Sequence, residues 1–228
     1  MKYIYSLIFI VISALNIYAQ KIEVFTDFNL GLISHQPLKT FHEGLAEEIP
    51  FNNVKTTDNY KFNYGFSVGF KVNRIKTSFF YQNKVTGAKS STADFSGYIR
   101  LTDELKASTF GAIYEFDIQE FNKGSLSFGV KGLITSSELI VKSESEISNS
   151  IENSILNFKS IDFGTGAILI YRYPIKTITL RAILGADFYL GGKLKFEEIK
   201  DAHLLDSKGN KVTTGWSGLN LGVGISIP

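Results

Sequence analysis

Histidine, serine and regularly spaced charges are the residues through which this chain could do chemistry. Its three histidines read His35-Gln-Pro, His42-Glu-Gly and His203-Leu-Leu, with Glu43, Glu47, Glu48 and Asp201 near them in sequence. A zinc site wants His-x-x-x-His or a comparable ligand spacing. No such spacing occurs, so these residues read as solvated loop histidines. Ser34 beside His35 does not make a nucleophile and base, because adjacent residues on a strand point to opposite faces. Gly164-Thr165-Gly166 is half of a nucleotide fingerprint, but Leu169 stands where the third glycine belongs. Cysteine is absent, which excludes disulfides, thiolate metal sites and thiol catalysis. No catalytic residue, metal or cofactor is expected from this inventory.

What remains is charge, and the elements that carry it are strands. From Lys61 to Asn73 the chain reads KFNYGFSVGFKVN, with Phe62, Tyr64, Phe66, Val68, Phe70 and Val72 on one face and Lys61, Asn63, Gly65, Ser67, Gly69, Lys71 and Asn73 on the other. Period two is the signature of a β-strand. The same pattern recurs in eight segments, near 22–32, 61–73, 76–84, 109–118, 126–134, 161–172, 178–188 and 218–227. Short links at Asn73-Arg74-Ile75, Asn122-Lys123-Gly124 and Tyr173-Pro174-Ile175 alternate with long polar stretches at 35–60, 86–103, 136–157 and 191–214. Each apolar row is free of Asp, Glu, Lys and Arg, while the opposite rows hold Glu23, Asp27, Lys71, Lys76, Glu115, Asp117, Lys131, Asp162, Arg172, Arg181 and Asp187, together with Lys61 and Lys84. Seven of these are basic and six acidic, a balance that suits charges buried in pairs. Glu23 is expected beside Lys71 on neighbouring strands.

The address is written at the start. Lys2, the apolar run Tyr3–Leu15 and Ile17-Tyr18-Ala19 read as a secretory signal peptide, with cleavage expected after Ala19 and residues 20–228 expected to form one domain. Of 24 basic residues, Lys2 leaves with the signal, so 23 face 22 acidic ones and no nucleic-acid partner is expected. A transmembrane β-strand needs about 9 to 11 tilted residues with an apolar outer row and a polar inner one. Eight such strands with alternating short and long links are expected to close as an antiparallel up-and-down transmembrane barrel, its last strand pairing with its first.

On this pattern of strands and links the segment Lys21–Pro228 resembles the small single-domain outer-membrane β-barrel proteins of Gram-negative bacteria, of the OmpX and OmpA-transmembrane-domain kind. Members commonly end on an aromatic residue; this chain ends Ile225-Ser226-Ile227-Pro228. The resemblance implies a location in the outer membrane, short turns in the periplasm and long loops outside. Among small barrels the lipid A deacylases carry a His-x-Ser pair, which none of the three histidines here provides. The expected function is structural or adhesive: the bilayer is one partner, and an extracellular protein or surface is bound through the loops. The alternatives are a narrow transporter for small or apolar solutes and a secreted soluble lipocalin-like barrel. Aromatic residues near the row ends, Tyr64, Phe70, Phe116, Tyr171, Phe188 and Trp216, favour the membrane over the soluble form. Within the long loops, Lys193–Glu197 followed by the turn-like Asp206–Asn210 suggests a projecting β-ribbon, and Ile147, Ile151 and Ile155 recur at helical spacing.

Overall fold

The computed structural model describes residues 22–33, 35–49, 54–95, 97–147, 150–199 and 202–228. Residues 1–21, which include the expected signal peptide, and Ser34 and Asp201 lie outside them. The strands are β1 (Ile22–Ile33), β2 (Lys55–Asn59), β3 (Asn63–Val72), β4 (Thr77–Asp94), β5 (Gly97–Phe121), β6 (Gly124–Ile147), β7 (Ser150–Ile175), β8 (Ile178–Leu190), β9 (Lys195–Phe196) and β10 (Gly218–Ile227), with one helix, α1 (Gln36–Glu47), after β1. All neighbouring strands run antiparallel. Following the pairings from β1 through β3, β4, β5, β6, β7, β8 and β10 returns to β1, so eight strands form a closed ring. Closure removes the unpaired sheet edge over this stretch.

The alternation read from the sequence becomes two physical surfaces. Outward residues are exposed and apolar: Phe66 56%, Val68 46%, Phe110 65% and Val223 63%. Inward residues of the same strands are buried and polar, among them Ser67, Lys71, Thr109 and Glu115. Glycines on the inner rows make room where charges sit. A Cβ at Gly166 would lie 2.4 Å from Asp187 Oδ1, and one at Gly224 would lie 2.1 Å from Asp27 Oδ1. One outward expectation fails: Val72 is buried where β3 enters the 3-10 turn Asn73–Ile75, flanked in register by Ile22 and Thr77.

The two ends of the ring differ. At one end, called here the turn end, β3–β4, β5–β6 and β7–β8 are joined by short links, and the first and last strands also begin and finish there. The third link is not at Tyr173-Pro174-Ile175: β7 continues through Ile175 and the chain reverses at Lys176-Thr177, with Lys176 at φ 55°. At the other end the expected long loops are mostly not loops. Residues 86–94, 97–103, 136–147 and 150–157 extend β4, β5, β6 and β7 as two tall hairpins; β5 alone runs 25 residues, more than twice the length a bilayer requires. Ile151 and Ile155 lie on β7, not on a helix, because a spacing of four returns to the same face of a strand as well as of a helix.

The remaining long segments fold inward as a cap. Helix α1 opens with Pro37 in its first turn and turns Leu38, Phe41 and His42 to the interior. The described residues of 191–199 and 202–216 do not project. Leu194 N–H donates to Val212 O (3.0 Å), Val212 N–H to Leu204 O (2.9 Å) and Leu204 N–H to Leu194 O (2.9 Å), a cyclic arrangement that buries Leu194, Leu204 and Val212 together. They join Leu38, Phe41, Tyr60, Leu105, Leu139, Phe158 and Trp216 in the main apolar core of the molecule. Trp216 is thus fully buried rather than at a membrane border, its Nε1–H donating to Ser137 Oγ at 2.9 Å.

Candidate functional site

The lumen is the first candidate, because it collects ionisable side chains from every strand of the ring but β10, which contributes the Asn220 amide. Nearest the turn end, Glu115 on β5 is a hub. Its carboxylate accepts from Lys71 Nζ (2.7 Å), from a terminal nitrogen of Arg172 (2.6 Å) and from Ser78 Oγ (2.8 Å), and its side chain is 1% exposed. Glu23 does lie opposite Lys71 in register, yet Lys71 turns to Glu115, and Glu23 comes only within 3.9 Å of Arg172 Nε. The longer reach across the lumen wins because Glu115 also brings Ser78 and Arg172 to the same carboxylate. Lys76 and Asp117 pair at 2.8 Å in the open at the mouth, both about half exposed. They close no part of the lumen.

One step further in, Arg181 Nε donates to Asp27 Oδ1 at 2.9 Å, with its guanidinium 4.0 Å from the centre of the Phe25 ring. A layer of Ile113, Ile168, Ile170 and Ile183, with Phe80 against it, follows. Above it Asp187 takes Lys131 and the Asn220 amide (2.6 Å), with Lys84 Nζ at 4.0 Å. Asp162, closest to the cap, accepts from Gly192 N–H, Thr214 Oγ1 (2.9 Å) and Ser160 Oγ (3.1 Å). Charge, apolar layer and charge fill the ring so closely that the cavity between Asp27, Phe80, Lys131 and Asp187 measures about 40 Å³. That is room for one or two waters.

The cap holds the arrangement that sequence reasoning missed. His42 on α1 and His35 just before it are fully buried, not solvated. His42 Nδ1 lies 2.8 Å from Asp103 Oδ2 and its Nε2 2.8 Å from Ser90 Oγ, an acid, imidazole and hydroxyl in the order of a hydrolytic triad. The surroundings argue for a latch. Ser90 and His42 are 0% exposed, Ser90 Oγ is also 2.8 Å from Thr56 Oγ1, and Asp103 accepts from Tyr60 O–H at 3.1 Å. The hydroxyl that would attack is walled in, and each donor finds an acceptor on a different element. These contacts tie α1 and β2 to the β4–β5 hairpin. Burial, and then the Asp103 carboxylate, push the Tyr60 phenol well above its usual value, so it stays a donor. Burial lowers His35 to about 4, and the neutral ring donates Nδ1–H to Thr214 O while standing edge-on to Trp216. Two signals for α1 were present in the sequence, Pro37 and the apolar spacing Leu38, Phe41, Leu45; the partners Ser90 and Asp103 carried none, lying in stretches that read as polar loops.

Among the described residues no group of three or more His, Cys, Asp or Glu could hold a metal ion. No helix is long and apolar enough to cross a membrane, which says nothing about strands. No protein-family model matches the chain. No curated protein matches it either. Among solved structures it is similar to the crystal structure of Neisserial surface protein A, with 14% identity over 90% of this chain and 96% of that one and a TM-score of 0.36.

Proposed function

We propose that this chain is an integral outer-membrane β-barrel protein whose lumen is closed and whose capped end acts outside the cell, as a structural or adhesive surface, without enzymatic chemistry. The observation that carries the reading is the inversion of an ordinary globular protein. Large apolar side chains are exposed all round the ring while charged ones are buried inside it. In water such a surface would aggregate, since contiguous apolar patches of this kind are rare on soluble proteins. In hydrocarbon it is the favoured surface, and the closed ring leaves no strand edge to satisfy. A lipocalin-like carrier would need the opposite sense, with the apolar rows lining the interior. Exposed aromatic residues Tyr64, Phe116, Tyr171 and Phe188 lie on the outward rows, in keeping with interface girdles.

The lumen argues against transport. Ion pairs cross it at several levels, the cavity between Asp27, Phe80, Lys131 and Asp187 measures only about 40 Å³, and the cap core stands over the far end. In planar bilayers the folded protein should therefore give no steady single-channel openings. Stable conductance steps would contradict the closed-lumen reading and favour a narrow channel.

A further inference from the structure

We infer that the outer rim beside β7 and β8 is a binding site for the phosphorylated headgroup of a membrane lipid. The inference rests on the membrane reading above. A cavity of about 800 Å³ opens there, lined by Lys159, Lys193, Lys195, His203 and Lys211 together with Glu197 and Ile161. The cluster follows from the cap's backbone. The bridges Lys193 to Thr213, Lys195 to His203 and Leu205 to Lys211 bring three segments together. Because Leu194, Leu204 and Val212 turn inward, the alternate residues Lys193, Lys195, His203 and Lys211 must turn the other way.

Charge accounting gives the ligand its sign. Lys159 is paired with Glu197; Lys193, Lys195 and Lys211 have no carboxylate partner among the described residues. Like charges gathered in this way repel, and an anion bound among them offsets that repulsion. Loss of hydration, with Lys211, Lys195 and Lys193 nearby, holds the His203 imidazole below its usual value. The neutral ring lines the cavity without adding charge. Position then gives the ligand its anchor. Ile161 is 64% exposed on the outward row, followed by Phe163, and Leu190 precedes Gly191 at the cavity wall. An occupant has apolar surface below and ammonium groups above. That suits a phosphate joined to acyl chains better than a free ion, since polybasic surfaces at a membrane border recruit anionic lipids.

The test folds the protein into phosphatidylcholine vesicles doped with phosphatidylglycerol, extracts it in mild detergent and counts retained lipids by native mass spectrometry. Wild type should retain phosphatidylglycerol in preference to phosphatidylcholine. Lys193→Gln/Lys195→Gln/Lys211→Gln should lose that preference by about a hundredfold, taking roughly fivefold for each of the three lysines at an anionic surface. Lys61→Gln/Lys89→Gln/Lys123→Gln, at exposed lysines elsewhere, should keep it. Heat-modifiable gel mobility shows that each variant is folded, and the single Lys211→Gln, with a smaller loss, serves if the triple variant is not. Equal retention by wild type and the cavity variant would overturn the site. Displacement of the lipid by millimolar inorganic phosphate would overturn the lipid as its occupant. Failure of wild type to insert even into pure phosphatidylcholine would instead overturn the membrane reading beneath it.

Discussion

Glu115→Ala should be the most damaging single change in the lumen, and its rank against Lys71→Ala is the sharper test. Glu115 neutralises two buried cations, Lys71 at 2.7 Å and Arg172 at 2.6 Å, which are themselves only 8% and 7% exposed. Removing the carboxylate leaves both uncompensated, apart from Glu23 at 3.9 Å from Arg172. Breaking a buried pair by deleting one partner costs about 3 to 5 kcal/mol. Lys71→Ala is milder, because Glu115 keeps Arg172 and Ser78; the loss is that of one charge-assisted hydrogen bond, about 1.5 to 3 kcal/mol. Residues sharing one carboxylate do not act independently, so the double variant should lose less than the sum of the two. Urea unfolding in detergent micelles, followed by heat-modifiable mobility, measures all three. If Lys71→Ala is as destabilising as Glu115→Ala, or the two losses simply add, Glu115 is not the hub of the lumen.

Two further expectations concern the cap. His35 is held neutral, with its value lowered to about 4 from an ordinary 6.5, so its contribution to stability is complete above pH 6.5 and is lost as pH falls from 6.5 towards 4. The full loss is about 3 kcal/mol at 1.36 kcal/mol per pH unit; His35→Gln should flatten that part of the pH profile of Trp216 fluorescence, and an unchanged slope would contradict the assignment. Ser90 should not react with a fluorophosphonate probe in the folded protein, and Ser90→Ala should cost about 1 to 3 kcal/mol of cap stability by leaving His42 Nε2 without its buried donor. Labelling of wild type that disappears in Ser90→Ala would make the latch a nucleophile.

The ring was legible in the sequence because its two faces meet opposite environments at every second residue. Val24, Phe28 and Leu30 against Asp27 and Asn29 are enough to place β1, and the pairing of β1 with β10 follows from closure. The cap was not legible, for three separate physical reasons. In residues 86–103 the outward row holds Lys89 and Thr102 rather than apolar residues, so strands whose order comes from pairing with neighbours read as polar loop. Helix α1 is short, and its amphipathic pattern is interrupted by His42, whose burial depends on Asp103 61 residues away. Residues 191–216 alternate correctly at Lys193–Phe196, but alternation cannot say whether a ribbon projects or folds back, and here Leu194 turns into the core. Of the lumen residues, type and face could be read locally, whereas partners could not: Lys71 stands opposite Glu23 on the sheet yet bonds across the lumen to Glu115.

The central claim is that the exposed apolar rows face hydrocarbon, and depth-dependent quenching measures it directly. A tryptophan placed at Val68, in the middle of β3's outward row, should be strongly quenched by lipids brominated deep in their acyl chains; one placed at Ile227, at the turn end of β10, should be quenched less by the same lipids and more by shallow bromines. The chain's single native tryptophan, Trp216, is buried in the cap core and serves as the unquenched reference. Equal emission from Val68→Trp in brominated and unbrominated vesicles, in protein shown to be folded, would contradict the membrane-spanning account.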